Sequence, residues 1–250
     1  MLGPESRTVV GDICLEELGV VVEQVHDDPP SARADTVDVP GRDGTVLRAI
    51  TYEPRSITLE CRVLEDRWQD FNRMIDRLAY HGLNHGLLEL SLRSHPGESY
   101  SVYLSGVSMS DRIYGSGVGF VELAFVAPDP YRHGELNQIT APSNGDPVTF
   151  HVGGTVPAAV SVSASSAVRD SGSLVWGVRF DEADFMHVAT GSSLTRSIAI
   201  NCEDRTVVVG TGTAMITLDS DWPELWPGEH TARIDEGTGS ATLMWRERSI

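Results

Sequence analysis

Apolar and polar residues alternate without a break through Ser56-Ile57-Thr58-Leu59-Glu60-Cys61-Arg62-Val63. That period puts Ile57, Leu59, Cys61 and Val63 on one face and predicts a strand with one dry side and one wet side. Leu88, Leu90 and Leu92 alternate with Glu89, Ser91 and Arg93 in the same way, and the pattern continues through Tyr100–Leu104 and Val121–Phe125. One stretch has a different period. Trp68, Phe71, Ile75 and Leu78 recur at steps of three or four, with Asp66, Gln69, Asp70, Arg73, Asp76 and Arg77 on the other sides. This predicts a helix from about Asp66 to Tyr80 with Gly82 placed to stop it. Between Val37 and Leu47 the chain reads VDVPGRDGTVL. The glycines lead into a β-branched run rather than a helix and no Lys-Ser/Thr pair follows, so the stretch is the tip of a hairpin and not a phosphate cradle. Pro40 supplies a fixed φ and Gly44 can take a positive one.

Beyond residue 135 the character changes. Two prolines follow Ala127, and the segment to about Pro147 is polar without a clear period. Strand-like runs then recur at short spacing: Ala159–Val162, Leu174–Phe180, Ser197–Ile200, Thr206–Val209, Ala214–Leu218, His230–Ile234 and Ala241–Trp245. Gly, Asp, Ser or Pro separate them, which is the signature of a β-sandwich. The chain is therefore predicted to be mainly β, with an N-terminal domain over residues 1–135 and a C-terminal domain over 136–250.

Composition narrows the function. The 250 residues carry 19 basic and 36 acidic groups, a net charge of −17, and every basic residue is Arg. Both halves share the acidity. Without a basic block the chain is a poor candidate for gripping phosphate backbones or anionic lipid. No apolar run approaches membrane-spanning length, and MLGPESRTVVGD lacks the basic start and apolar stretch of a signal peptide. A soluble protein that is not exported by the usual signal route is expected. Cys14, Cys61 and Cys202 stand far apart, outside any CxxC or Cys/His cluster, and read as buried thiols of a reducing cytosol.

Each chemical candidate has a plainer reading. His81 and His85 are four apart, but Gly82 is placed to end the helix and no HExxH glutamate accompanies them, so a capping loop is expected. Asp27-Asp28-Pro29-Pro30 offers adjacent carboxylates that read as a solvated loop. Asp181-Glu182-Ala183-Asp184 lacks the spaced ligands of a calcium loop and reads as an acidic turn. The serines from Ser161 to Ser166 lie in or beside a strand, without a nucleophile elbow. Trp222 and Trp226 could stack on a sugar ring, or could lid the sandwich core. No catalytic, cofactor-binding or metal-ligating residue is assigned, and no cofactor is expected.

The order of these features resembles the siphophage distal tail protein family. The resemblance rests on the Val39-Pro40-Gly41-Arg42-Asp43-Gly44 turn, the paired strands around Arg55-Ser56-Ile57-Thr58-Leu59, the single helix and the close at Phe125–Tyr131. In the second half it rests on Val152–Ala158, Asn201–Val209 and Leu225–His230, with His151 standing where the pattern has Asn. It implies a ring-forming, barrel-like N-terminal domain with its helix outside and a galectin-like C-terminal sandwich. It further implies a virion protein at the tail tip, assembled in a host cytoplasm or encoded by a prophage. The implied partners are five further copies of the chain in a sixfold ring, the tail tube protein, a tail-tip hub protein and a receptor-binding protein. DNA would pass through such a ring without specific binding, and no membrane is involved. Arg42 and Asp43 would then sit at the tip of a hairpin that reaches a neighbouring subunit. The alternative, a carbohydrate-binding β-sandwich module acting at a host cell surface, accounts for Trp222 and Trp226 but not for the helix-bearing first half.

Overall fold

The computed structural model describes residues 7–84, 86–113, 118–168, 175–181, 184–189 and 195–250. The chain divides into two compact units, Met1–Arg132 together with Ile250, and His133–Ser249. In the first unit the strands are β1 (Val9–Val10), β2 (Ile13–Cys14), β3 (Val20–His26), β4 (Ala32–Asp38), β5 (Thr45–Tyr52) and β6 (Arg55–Leu64). Helix α1 (Trp68–Asn84), β7 (Leu88–Ser91), β8 (Ser99–Ile113) and β9 (Val118–Ala127) complete it.

The predicted alternation along β6 becomes geometry. Ile57, Leu59, Cys61 and Val63 are all buried, and their partners on β9 include Leu123 opposite Leu59 and Phe125 opposite Ile57. The long β8 is shared: its start pairs with β7 and its remainder with β9. The unit is mainly β, as expected. Its sheets do not close into the barrel-like form that the resemblance implied, since β3 pairs only with β6 and β2 only with β1 among the described residues. Helix α1 lays Trp68, Phe71, Met74 and Leu78 into this core, all buried, with Ile75 packed at its edge. Each such burial stabilises the fold by roughly 1.5–3 kcal/mol. Gly119 makes room for the helix, because a Cβ there would lie 2.2 Å from Trp68 Cζ2.

The helix runs past Gly82 to Asn84, a correction to the predicted end. Gly86, with φ at 86°, takes the left-handed conformation instead. A glycine costs a helix only about 1 kcal/mol, which packing of the earlier turns readily offsets.

The second unit contains β10 (Arg132–Ala141) from its second residue onward, β11 (Val148–Val152), β12 (Ala158–Val168), β13 (Val175–Phe180), β14 (Asp184–Ala189) and β15 (Thr195–Asn201). It continues with β16 (Thr206–Val209), β17 (Gly212–Thr213), β18 (Glu224–Leu225), β19 (Gly228–Glu236) and β20 (Ala241–Ser249). One sheet runs β11-β19-β13-β14 and the other runs β17-β16-β15-β12-β20-β10. Trp176, Val178, Phe180, Met186 and Ile234 from the first meet Val160, Val162, Ile198, Leu243 and Trp245 from the second in a single core. Two readings change here. The polar stretch after Arg132 is a ten-residue strand, because hydrogen bonds to β20 supply an order that its own composition lacks. Residues 214–218 form a loop along β14, touching it through an Ile216–Val188 bridge.

Candidate functional site

The most exposed structured part of the first unit is the hairpin of β4 and β5. The two strands pair with each other and with no other strand among the described residues. At the tip, the Arg42 amide donates to the Val39 carbonyl at 3.1 Å. Pro40 and Gly41 (φ 80°) hold the central positions of that bend, the arrangement of a type II turn. Gly44 also takes a positive φ, 76°. The tip is thus built by backbone conformation, and Arg42 and Asp43 are exposed on it.

Residues paired across an antiparallel ladder share a face. Ala32 pairs with Tyr52, Ala34 with Ile50, Asp35 with Ala49, Thr36 with Leu47 and Val37 with Val46. Arg48 is left out of the register, a β-bulge. Strict alternation would have put Arg48 beside Ile50. The bulge instead rephases the strand, so Tyr52, Ile50 and Leu47 form one apolar stripe flanked by Ala32 and Ala34. All three stripe residues are exposed, at 43%, 60% and 54%. An apolar stripe on a two-stranded ribbon with open edges is the surface of something that pairs or packs elsewhere.

The root of this arm is as ordered as its tip is open. The Glu53 amide donates to the Ser31 carbonyl at 2.9 Å. On the body side of that bond, Asp27 and Arg55 converge, with Nε 2.7 Å from Oδ1 and only 8% and 3% of the side chains exposed. Neither atom is aligned for a hydrogen bond, so the two meet as charges. The Tyr100 hydroxyl donates to Asp27 Oδ2 at 2.8 Å, and the Arg55 guanidinium lies 5.2 Å over the Tyr100 ring. Burial pushes the Tyr100 phenol up to about 12. Arg132 donates to the Tyr100 hydroxyl (3.3 Å), to Glu98 (2.7 Å) and to the Ile250 carbonyl (2.7 Å). Asp27 is therefore no solvated loop residue; its partner lies beyond the whole arm in sequence, where no local reading could place it.

The face of the β3-β6-β9-β8 sheet opposite the helix is acidic. Glu60 stands directly across from Glu122, and both line a pocket of about 240 Å³ together with Glu23, Cys61, Phe120 and Val121. Arg62 binds Glu23 at 2.7 Å and His26 meets Glu60 at 2.8 Å.

The second unit holds its own charged centre. Arg179 binds Asp235 through two nitrogens, each at 2.9 Å, while His187 Nε2 lies 3.1 Å from the same carboxylate. These bonds hold the Asp235 carboxyl below the usual carboxylate range. Asp181, at φ 49°, accepts from the Thr231 amide and meets His230, which also reaches the Trp226 carbonyl. Glu182, Ala183 and His85 lie outside the described residues, and nothing is described of the His81 side chain. Trp222 packs against the core, whereas Trp226 stands 65% exposed. Ser161 and Ser163 sit on β12. Cys61 and Cys202 are buried, which raises both thiols to about 12. Among the described residues no group of three or more His, Cys, Asp or Glu could hold a metal ion, and no helix is long and apolar enough to cross a membrane.

Residues 11–127 match the family of phage tail proteins described as a RIFT-related domain, and residues 154–248 match the C-terminal domain of the siphovirus-type tail component. No curated protein sequence matches the chain. Among solved structures, the Dit protein (gp 19.1) of phage SPP1 is similar over 98% of this chain and 99% of its own, with a TM-score of 0.72 and 17% identity. That protein is described as a paradigm of the hub adsorption apparatus in phages infecting Gram-positive bacteria. At this identity the likeness is one of fold. A chain of the phage P2 baseplate, in its activated conformation with Ca, aligns over 92% of this chain and 90% of its own, with 12% identity and a TM-score of 0.49.

Proposed function

The chain belongs to the siphophage distal tail protein family, and from that premise we propose that it closes into a ring of six at the end of a phage tail. The ring is the hub that joins the tail tube to the tail-tip protein and to receptor-binding parts. Residues 1–135 form the ring, and residues 136–250, a galectin-like sandwich, offer an attachment surface. The observation that carries this reading is the arm. A chain that leaves a stripe of Leu47, Ile50 and Tyr52 in water, on a ribbon with two open edges, gains by burying it on the next copy. A ring interface is heterologous, so each subunit offers the arm on one side and its receptor on the other.

The role is structural rather than catalytic, and the tail's DNA passes through the ring without being held. The facing Glu60 and Glu122 support that passage, since an acidic wall repels a duplex within roughly 8–10 Å. The protein is assembled in a host cytoplasm, from a phage or a prophage gene, and works in the virion.

Light scattering with mass resolution tests the assembly at micromolar concentration. The wild type is expected at six chains, alone or on the tail tube. The double variant Leu47→Asp, Ile50→Asp is expected as a monomer with an unchanged melting temperature. One or two copies per intact virion would end the reading.

A further inference from the structure

The arm leaves the body of the first unit through two short stems. Asp28-Pro29-Pro30-Ser31 leads in, and Glu53-Pro54 leads out. Proline fixes φ, so three of these six positions have lost a soft dihedral. Asp27 stands at the inner end of the first stem and Arg55 at the inner end of the second. Their 2.7 Å approach therefore ties the two stems together. The tie is fastened to the body on every side. Arg55 donates weakly, at 3.4 Å, to the Pro130 and Asp27 carbonyls. Tyr100, on β8 and 1% exposed, holds the other oxygen of Asp27. His95 Nε2 lies 3.7 Å from that same oxygen. One step outward, the Tyr52 ring meets Tyr131 edge-on at 6.2 Å.

Two charges buried this deeply are a poor way to gain stability. Desolvation offsets most of their attraction, and the pair here lacks even the hydrogen-bond alignment that would help repay it. An apolar pair of similar volume would hold the core as well. What the charged tie supplies is a fixed angle between stems and body. Resting on the reading of the arm as the contact with the next copy, we propose that Asp27, Arg55 and Tyr100 are positioning residues. They hold the free subunit's arm in the orientation its neighbour receives, so the ordering cost of assembly is met on folding rather than on contact.

The test compares arm position with assembly in the full-length chain. Spin labels at Asp43→Cys on the tip and Asp76→Cys on the exposed side of helix α1, in a Cys14→Ser background, report the tip-to-body distance. Adding Leu47→Asp and Ile50→Asp keeps the chains apart while it is measured. The labelled parent is expected to give one narrow distance distribution. Asp27→Leu with Arg55→Met is expected to broaden it severalfold while the melting temperature stays within about 3 °C of the parent. With the stripe intact, the same pair should raise the protein concentration needed for ring formation by about tenfold. A distribution as narrow in the Leu/Met pair as in the parent would overturn the proposal. Should that pair not fold, Tyr100→Phe removes only the hydroxyl that holds Asp27: broadening then supports the tie, and an unchanged width overturns it. Rings that form despite Leu47→Asp and Ile50→Asp would defeat the reading of the arm as a contact, whereas the distance measurement would still decide whether the tie positions it.

Discussion

The β4-β5 and β13-β14 hairpins are two antiparallel pairs of similar length that end in opposite conditions. In the second, Trp176, Val178, Phe180, Met186 and Val188 turn inward and are buried. Arg179 and His187 are tied to Asp235 on the neighbouring strand. Its free edge is sealed as well: the Thr217 amide donates to the His187 carbonyl at 2.8 Å and the Asp221 amide to the Phe185 carbonyl at 3.0 Å. In the first hairpin nearly every residue is exposed, and among the described residues neither edge is paired. Both are continuous antiparallel ladders of the same kind. The lesson is that a hairpin finished within its own chain is structure, while one left open with an apolar stripe is half of an interface.

The comparison breaks most visibly at the buried aromatics. Phe180→Ala removes a side chain that is 1% exposed and should cost the second unit about 3–5 kcal/mol. Ile50→Ala, on the arm, should change folding stability by no more than about 0.5 kcal/mol. Denaturant melts of the two variants measure this directly. Equal losses would mean that the arm is packed in the free subunit.

The charged centre of β13-β14 gives an intermediate effect with a pH signature. Arg179's hydrogen bonds hold the Asp235 carboxyl down, burial pushes it up, and His187 adds to the lowering; Arg233 also faces it at 3.8 Å. A carboxyl lowered on folding contributes stability that is present above its unfolded value of about 3.9 and lost as pH falls through the folded one. Asp235→Asn should therefore cost about 1–3 kcal/mol at neutral pH. The gap should close below roughly pH 4. Urea midpoints from pH 7 down to pH 3 check the sign; a gap that widened on acidification would contradict it.

At the arm's tip the expected folding effect is small and local. A Cβ at Gly44 meets nothing within 4 Å, so Gly44→Val is opposed only by the positive φ, at about 1 kcal/mol or more. The penalty falls on the arm, and ring formation measured by light scattering should suffer more than the melting temperature. A much lower melting temperature with rings still forming would make the hairpin part of the core.

What the sequence determined by itself is local. Alternation from Ile57 to Val63, the apolar stripe from Trp68 to Leu78 and the bend at Pro40-Gly41 each lie within a few residues, and backbone sterics and side-chain period act at that range. The mainly β class followed from them, as did the hairpin at Val37–Leu47. Tertiary structure decided whatever depends on a partner far along the chain. The helix continued past Gly82 because its apolar face was already docked beside Gly119. Polar residues after Arg132 became a strand because β20 offered its hydrogen bonds. Residues 214–218 became a seal for the β14 edge rather than a strand. The bulge at Arg48, which gathers Leu47, Ile50 and Tyr52 onto one face, is a property of register, and register exists only between strands. Asp27 looked like a loop acid beside its prolines. It became a buried tie only when folding brought Arg55, from beyond the arm, to within 2.7 Å of it.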